Sequence, residues 1–269
     1  MADQPLLQRK SVIVDSLTHP LAVWIRDILV EKDVLPYLII DDEDNILQAL
    51  QADIKVERVF YTGDQRLSGH FKRALPNEVA IHEIAKRTSK KLFETSKLSR
   101  VFAVAQVPRA PELADLAVIK SDIVVLENLG ISGNVGAVIR TAVAFGVGGI
   151  VLLDSEVDRY DRRLVRASRG QVFSLPVVKA KMDDFLEFCK RYNWQLLVTA
   201  PNASRSVRDL AKLPGQLVII FGNEKAGCSP ALLEAAKLQI KIPTNALVES
   251  LNVSAAAAVT LFQRIESNL

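Results

Sequence analysis

The sequence predicts an α/β protein with two domains, the second of which is built on a parallel sheet. The chain has 269 residues, which is long for one compact domain and suits two, and 49% of them are apolar. From residue 118 onward, apolar runs alternate with helical patterns, as expected where helices cover both faces of a parallel sheet. We therefore place a smaller N-terminal α/β domain at residues 1–110 and a C-terminal domain at residues 118–269. The proline-containing run VPRAPELADLAV is predicted to link them.

The N-terminal domain contains segments typical of strands and of helices. Apolar runs predict strands at VIVDSL, YLIID, VERVFYTG and RVFAVAQV. The spacing of apolar residues predicts an amphipathic helix at HPLAVWIRDILVE. A second helix, rich in basic residues, is predicted at EVAIHEIAKRTSKKLFETS.

The C-terminal domain shows the clearer alternation. Six strands are predicted, at DIVVLEN, GIVLLD, VFSLPVV, QLLVTA, QLVIIFG and QIKIP. Between them, helices are predicted at VGAVIRTAVAFG, across the arginine-rich residues 158–170, and at DDFLEFCKRY, SVRDLAKL and SPALLEAAK. A longer helix, from about residue 252 to 267, ends the chain.

Composition excludes several classes of protein. No run approaches the roughly 20 apolar residues that span a membrane, and the first residues lack the basic-then-apolar order of a secretory signal. The two cysteines, Cys189 and Cys228, have neither the spacing of a metal pair nor that of a disulfide framework. We expect a cytoplasmic protein with no membrane contact and no metal site.

A local excess of basic residues suggests a polyanionic partner. Between Arg66 and Arg109 there are ten Lys or Arg residues and only three acidic ones. Such a stretch suits the phosphates of a nucleic acid, although a solvated helix face explains it equally well. The candidates for RNA binding here are Arg87, Lys90, Lys91 and Lys97.

The common motifs of α/β enzymes are missing. The cluster Gly146, Gly148 and Gly149 follows a predicted helix and precedes a strand, which is the reverse of a dinucleotide-binding fingerprint, so we interpret it as a helix end and a turn. No GxxxxGK[ST] or GxSxG motif occurs, and all three histidines lie in the N-terminal domain. A phosphate-binding P-loop and a serine hydrolase are thereby disfavoured.

Three polar clusters instead follow apolar strands of the C-terminal domain. The first runs from Asn134 through Gly136 to Arg140, and the second is the loop 221–230, with the sequence FGNEKAGCSP. The third joins Ile242-Pro243 to the run ESLNVS at 249–254, where Ser250 or Asn252 is predicted to begin the last helix. Each cluster alone is explained by turns, caps or a surface arginine.

Together, and in this order, the clusters resemble motifs 1, 2 and 3 of the SPOUT methyltransferases of the SpoU/TrmH branch. This resemblance covers residues 118–269. It implies a parallel α/β domain with a deep C-terminal trefoil knot, a homodimer, and S-adenosyl-L-methionine-dependent 2′-O-methylation of an RNA ribose. It also implies cofactor binding near Ala200, Gly222, Ile242 and Leu251.

The segment Asp161–Val178 is similar to the thiostrepton and nosiheptide resistance methyltransferases within this family. Those enzymes methylate an adenosine in the GTPase-centre region of large-subunit (23S) ribosomal RNA. Their N-terminal RNA-binding domain resembles kink-turn-binding ribosomal proteins, which implies the same role for residues 1–110. Motif 2 here reads Gly-Asn-Glu instead of Gly-Ser-Glu, which leaves the modified nucleotide open.

The resemblance assigns roles to six candidate catalytic residues: Asn134, Arg140, Arg169, Glu224, Ser250 and Asn252. The two arginines would pair with a phosphate or with the developing alkoxide. A guanidinium holds its proton above about pH 12, so stabilising the oxyanion is easier than acting as a base. The other four would orient the sugar and the loops, and Arg162 and Arg166, on one helix face, would add RNA contacts.

Other functions remain open at this point. A tRNA or a different rRNA site is the main alternative target. A non-catalytic RNA-binding protein is another alternative, and the intact candidate residues argue against it. An unrelated α/β nucleotide-binding enzyme is the last, and the missing glycine fingerprints argue against that one.

Overall fold

The computed structural model describes residues 11–30, 35–93, 99–245, 247 and 250–265. The chain forms two compact units, Met1–Arg109 and Ala110–Leu269. The first contains, among its described residues, five strands and four helices: β1 (Ile13–Val14), α1 (Pro20–Val30), β2 (Tyr37–Asp41), α2 (Glu43–Gln51), β3 (Val56–Thr62), α3 (Gly69–Ala74), β4 (Ala80–Ile84), α4 (Lys86–Leu92) and β5 (Val101–Gln106).

The first unit is built on a mixed sheet with the strand order β1-β4-β3-β5-β2. Strands β1, β4 and β3 are parallel, and β5 runs antiparallel to both β3 and β2. Phe60 on β3 stacks on Phe102 on β5, with 5.0 Å between the ring centroids, and Phe93 meets Phe102 edge-on. Helix α1 packs its buried side on this aromatic cluster, which forms the core of the unit.

The helix predicted across residues 78–96 is wrong in its first part. Residues Ala80–Ile84 form strand β4, which pairs with β3 and β1. Along β4 the side chains of Ala80, His82 and Ile84 are buried and the two between them are half-buried, which is the two-residue period of a strand. The basic helix α4 begins only after this strand, and residues 94–98 lie outside the described part.

His82 on β4 is a buried structural residue. Its Nε2 atom lies 3.1 Å from Nη1 of Arg58, and the backbone N–H of Val12 donates to its Nδ1 atom. Burial, with a further contribution from the charge of Arg58, lowers the pKa of His82 to about 4. The imidazole is therefore neutral near neutral pH and can accept the hydrogen bond from Val12.

The second unit contains seven strands and six helices within the described residues. In chain order they are α5 (Leu113–Leu116), β6 (Ile123–Glu127), α6 (Ser132–Ala144), β7 (Gly149–Leu153), α7 (Arg162–Ala167), β8 (Val177–Ala180), α8 (Met182–Arg191), β9 (Gln195–Thr199), β10 (Arg205–Ser206), β11 (Leu217–Phe221), α9 (Pro230–Ala235), β12 (Leu238–Lys241) and α10 (Val253–Ile265). Two 3₁₀ turns lie at Gln171–Phe173 and Val207–Lys212.

The sheet of the second unit confirms the predicted parallel arrangement. Its strand order is β10-β12-β9-β11-β6-β7-β8, and every neighbouring pair is parallel. All residues of β6, β7 and β11 are buried, because helices cover both faces at the centre of the sheet. This burial explains why these strands read as uninterrupted apolar runs. The run expected to be a linker also contributes, since Leu116 on α5 is fully buried in this core.

The arginine-rich helix predicted at 158–170 is shorter in the structure, where α7 covers only Arg162–Ala167. It begins late because the Asp161 carboxylate caps it, accepting hydrogen bonds from the backbone N–H groups of Arg163 and Leu164. The strand predicted at VFSLPVV is also shorter. Its first residues form a 3₁₀ turn, and β8 starts at Val177.

Helix α10 is tied to the rest of the second unit by Arg264. Its guanidinium forms a mostly buried ion pair with Asp122, with Nε 2.7 Å from Oδ2. It also donates to the carbonyl oxygens of Leu210, Leu213 and Gly215. These bonds fix the C-terminal end of the helix against the segment that precedes β11, so the start of α10 is held in a defined place.

Candidate active site

The predicted cofactor-binding residues follow neighbouring strands of the parallel sheet. Ala200, Gly222 and Ile242 come directly after β9, β11 and β12, which are adjacent in the sheet. Because parallel strands end at the same edge, the loops after them share one edge of the sheet. The backbone N–H of Ala200 donates to the carbonyl of Ile240 at 2.8 Å, which links two of these strand ends. Leu251 is half-buried and lies two residues before the start of α10.

Three predicted catalytic side chains are joined by hydrogen bonds. Nδ2 of Asn134, in the first turn of α6, donates to Oε1 of Glu224, in the loop after β11. Nδ2 of Asn252 donates to Oδ1 of Asn134 at 3.3 Å. The structure thus brings together one residue from each of the three clusters, which lie up to 118 positions apart in the sequence.

Asn252 also determines where helix α10 begins. Its Oδ1 atom accepts hydrogen bonds from the backbone N–H of Ser254 at 2.9 Å and from the Ser254 hydroxyl at 2.6 Å. This is the geometry of an N-cap, so Asn252 and not Ser250 caps the last helix. Ser250 is exposed two residues earlier, and Glu249 lies outside the described residues.

The loop 222–229, which we call the motif 2 loop, is closed tightly on itself. A Cβ atom added at Gly222 would lie 2.3 Å from the carbonyl carbon and oxygen of Gly227. Gly227 has a φ of +71°, in the left-handed region that favours glycine. Both glycines are therefore required for the path of the loop that carries Glu224.

Gly136 allows α6 and α7 to approach closely. A Cβ atom there would lie 2.6 Å from Cβ of Ala167 and 2.8 Å from the carbonyl oxygen of Leu164, so any side chain would push the helices apart. Arg140 follows one turn later on the same helix face and is exposed.

Arg169 is held in an unusual backbone conformation. The N–H groups of Arg169 and Gly170 donate to the carbonyl groups of Arg166 and Val165, which is the Schellman arrangement at the end of a helix. Arg169 occupies the position usually taken by glycine, with a φ of 55°, at a cost of about 1 kcal/mol. The Arg169 side chain is exposed.

The other predicted RNA-binding residues lie in both units. Arg162 and Arg166 are half-buried on α7, one turn apart. Arg87, Lys90 and Lys91 are exposed on α4 of the first unit, whereas Lys97 lies outside the described residues. Their role in RNA binding stays a prediction.

Two residues that hold the motif 2 loop had no role assigned from the sequence: Glu127 at the end of β6, and Asn223 within the loop. The carboxylate of Glu127 accepts a hydrogen bond from the backbone N–H of Ser229, and the amide of Asn223 donates to the carbonyl of Asn128. A polar residue at the end of an apolar strand was the available signal for Glu127. Burial, with a further contribution from the charge of Glu127, raises the pKa of the neighbouring Cys228 to about 12, so this thiol is unreactive.

Within the described ranges, no group of three His, Cys, Asp or Glu side chains is placed to hold a metal ion. The same residues include no helix that is long and apolar enough to cross a membrane.

Comparison with known proteins identifies relatives of both units. Residues 121–262 match the model of the SpoU rRNA methylase family, and residues 11–119 match the N-terminal model of thiostrepton-resistance methylases. A 23S rRNA (adenosine(1067)-2′-O)-methyltransferase of Streptomyces laurentii is 35% identical over 240 residues, covering 88% of this chain and 89% of the relative. The enzyme of the same name from Streptomyces azureus is 40% identical over 179 residues, or 66% of each chain.

A solved structure supports the same assignment over nearly the whole chain. The crystal structure of an RNA 2′-O ribose methyltransferase aligns with a TM-score of 0.81 and 28% identity, covering 95% of this chain and 99% of that one. With a family model that spans more than half of the chain and relatives above 30% identity, this protein belongs to the SpoU rRNA methylase family.

Proposed function

We propose that this enzyme transfers a methyl group from S-adenosyl-L-methionine to a ribose 2′-hydroxyl of 23S ribosomal RNA. The observation that carries the proposal is the hydrogen-bonded contact of Asn134, Glu224 and Asn252, which unites three separate motifs at one edge of a parallel sheet. The two Streptomyces relatives, whose names state this reaction, support it. We infer that an enzyme with this target acts in the cytoplasm.

The residues after β9, β11 and β12 fit the proposed cofactor. Ala200, Gly222, Ile242 and Leu251 have small or apolar side chains, so backbone groups of their loops can approach a bound adenosine closely. None of the four carries a positive charge that would oppose a sulfonium. We place the cofactor here, within the C-terminal trefoil knot that the family resemblance implies. When bound, S-adenosyl-L-methionine supplies an electrophilic methyl group.

The protein's own residues position the ribose and stabilise charge. Asn134, Glu224, Ser250 and Asn252 would orient the ribose 2′-hydroxyl and hold the loops around it. Arg140 and Arg169 bind the flanking phosphate and stabilise the alkoxide that develops as the proton leaves. The proton passes to water or to a phosphate, because a guanidinium holds its own proton to above about pH 12.

The proposed target is an adenosine of the GTPase-centre region, with resistance to thiopeptide antibiotics as the consequence. The match of residues 11–119 to thiostrepton-resistance methylases supports this choice over a tRNA or another rRNA site. The alternative of a non-catalytic RNA-binding protein is disfavoured, because the contacts among Asn134, Glu224 and Asn252 are intact.

Mapping the methyl group tests this function directly. Purified protein is incubated with methyl-labelled S-adenosyl-L-methionine and total bacterial RNA, and the labelled nucleotide is located by mass spectrometry. We expect one 2′-O-methylated adenosine in 23S rRNA and no label with an Asn134→Ala variant. Label in tRNA, or at another rRNA position, would correct the target, and no label in any RNA would contradict the reaction.

Replacing Arg169 separates RNA-side chemistry from cofactor binding. Arg169→Ala is expected to lower the methylation rate by about a hundredfold or more, because it removes a donor to the developing charge. The affinity for S-adenosyl-L-methionine, measured by calorimetry, is expected to stay within twofold of the native value, since the residues proposed to bind the cofactor belong to loops that do not contain Arg169.

Arg169→Gly is the matched control, because glycine adopts the left-handed backbone of this position without strain. It is expected to be as inactive as the alanine variant. Native activity in the glycine variant would show that only the backbone conformation matters, and loss of cofactor binding in both would place Arg169 elsewhere in the mechanism.

We propose that the first unit binds the RNA substrate through helix α4. Arg87, Lys90 and Lys91 are exposed within two turns of this helix and present three positive charges. The implied likeness of this unit to kink-turn-binding ribosomal proteins supports the same role. Arg162 and Arg166 on α7 add contacts beside the reacting ribose.

Neutralising α4 tests this interface. The triple variant Arg87→Gln, Lys90→Gln, Lys91→Gln is expected to bind 23S rRNA more weakly than the native protein. The slope of the logarithm of the binding constant against the logarithm of the salt concentration is expected to become shallower, by about 0.7–0.9 for each phosphate that the protein no longer neutralises. The measurement is a binding titration at several salt concentrations. Lys179→Gln, Lys181→Gln, Lys190→Gln, with the same charge change in the second unit, is the control. Equal effects in the two variants would remove α4 from the interface.

We propose that the enzyme is a homodimer that pairs through helix α10. Val259 and Phe262 lie on one face of this helix with exposed fractions of 39% and 48%, and Ile131, just before α6, is 56% exposed. Phe262 contacts Phe145, at the C-terminal end of α6, edge-on, so these two rings form a partly exposed apolar area between α6 and α10, and Ile131 lies at the other end of α6. Association with a second copy would remove this area from water.

A charge on this face is expected to separate the subunits. Phe262→Glu should sediment as a monomer at concentrations where the native protein is a dimer, because a carboxylate would be buried without a partner. Tyr192→Glu changes another exposed aromatic residue, 44% exposed on a different helix end, and should leave the dimer intact. A native protein that sediments as a monomer would contradict the proposal.

A further inference from the structure

The position of Glu224 depends on how the base of the motif 2 loop is held. Two backbone hydrogen bonds close the loop, from Asn223 N–H to the Gly227 carbonyl at 3.0 Å and from Gly227 N–H to the Asn223 carbonyl at 2.8 Å. Glu224 therefore lies in a short turn whose shape is fixed within itself. Its distance from Asn134 is then set by the contacts that tie this turn to the sheet.

The first tie is the side chain of Asn223. Its Oδ1 atom accepts hydrogen bonds from the backbone N–H groups of Lys225 and Ala226, at 3.0 and 3.2 Å, which shapes the turn around Glu224. Its Nδ2 atom donates to the carbonyl oxygen of Asn128 at 2.9 Å. Asn128 directly follows β6. The side-chain amide of Asn223 therefore both shapes the turn and joins it to the central sheet.

The second tie is the side chain of Glu127, the last residue of β6. Its Oε2 atom accepts a hydrogen bond at 2.9 Å from the backbone N–H of Ser229, at the other end of the loop. Glu127 is only 6% exposed, and among the described residues no Lys, Arg or His forms an ion pair with it. Burying a carboxylate in this way is costly, which indicates that its contact with the loop matters.

Consecutive residues at the end of β6 thus hold opposite ends of the same loop. We propose that Asn223 and Glu127 are positioning residues for methyl transfer, which anchor the motif 2 loop to β6 so that Glu224 meets Asn134. The inference rests on the proposed function in one respect, the role of Glu224 in orienting the reacting ribose. Neither residue touches the proposed substrate, and both act through Glu224.

Four variants separate the hydrogen bonds from the charges. Asn223→Ala removes the acceptor inside the turn and the donor to Asn128, whereas Asn223→Asp keeps the acceptor, loses the donor and adds a negative charge. Glu127→Ala removes the acceptor for Ser229, whereas Glu127→Gln keeps an acceptor of the same length and loses only the charge. Thermal unfolding of each variant checks that the fold is retained.

The first readout is hydrogen exchange of the backbone amides of residues 222–229 in the protein without cofactor. We expect about tenfold faster exchange in Asn223→Ala and Glu127→Ala, because each loses hydrogen bonds that protect the loop. Asn223→Asp is expected to lie between Asn223→Ala and the native protein. Glu127→Gln is expected to match the native protein, since its amide oxygen still accepts from Ser229. Should Glu127→Ala fail to fold, Asn223→Asp and Glu127→Gln decide the question.

The second readout is steady-state methylation of 23S rRNA. Misplacing Glu224 is expected to lower kcat about tenfold to a hundredfold in the two alanine variants, with KM for S-adenosyl-L-methionine nearly unchanged. Glu127→Gln is expected to keep native kcat. Native exchange rates of the loop amides in the alanine variants would overturn the proposal. A Glu127→Gln variant with kcat as low as that of Glu127→Ala would also overturn it, because the charge of Glu127 and not its hydrogen bond would then be responsible.

Glu224→Ala distinguishes the two ways in which the activity result can fail. If loosening the loop and removing Glu224 both leave kcat at its native value, the proposed role of Glu224 is wrong, while faster exchange still supports the anchoring by Asn223 and Glu127. If Glu224→Ala lowers kcat and the loosened loops do not, Asn223 and Glu127 are not positioning residues.

Discussion

The amide group of Asn134 is the contact on which the candidate site depends. Its Nδ2 atom donates to Glu224 and its Oδ1 atom accepts from Asn252, so the two ends of one amide are satisfied by a carboxylate and by another amide. Asn134 can serve both because its place is fixed: Val135 and Val138, in the same helix, are fully buried. Segments far apart in the chain therefore meet at a side chain held by the core.

The parallel sheet makes this meeting possible. When neighbouring strands run in the same direction, the loops that follow them emerge at one edge, and side chains in those loops come within contact distance. The packing of helices α6, α7 and α10 then brings the other residues of the candidate site to that edge. Gly136 lets α7 approach α6 closely, and Arg264 fixes the far end of α10, so the start of α10 stays beside α6. Packing thus determines where the polar groups lie.

Sequence analysis predicted what local patterns encode. The parallel sheet and the three polar clusters depend on apolar runs and on turn and cap residues, all of which are visible within a few positions. Strand β4 was mistaken for a helix because its pairing with β3 and β1 specifies it, whereas the lysines after it favour a helix. Glu127 was missed for a similar reason, since its partner Ser229 lies 102 positions away. Partners at such distances leave no mark in a local pattern.

The order of strands also separates two electrostatic requirements of the proposed reaction. The loops assigned to the cofactor follow β12, β9 and β11, on one side of β6, and the residues proposed to contact it there have small or apolar side chains. Arg140 and Arg169 belong to the connections between β6, β7 and β8, on the other side. A sulfonium is best placed away from guanidinium groups, whereas a phosphate requires them. The chain passes from β8 on one side of β6 to β9 on the other through α8, so a single edge offers each charge a suitable environment. Asn134, at the start of the helix that follows β6, lies between the two sides.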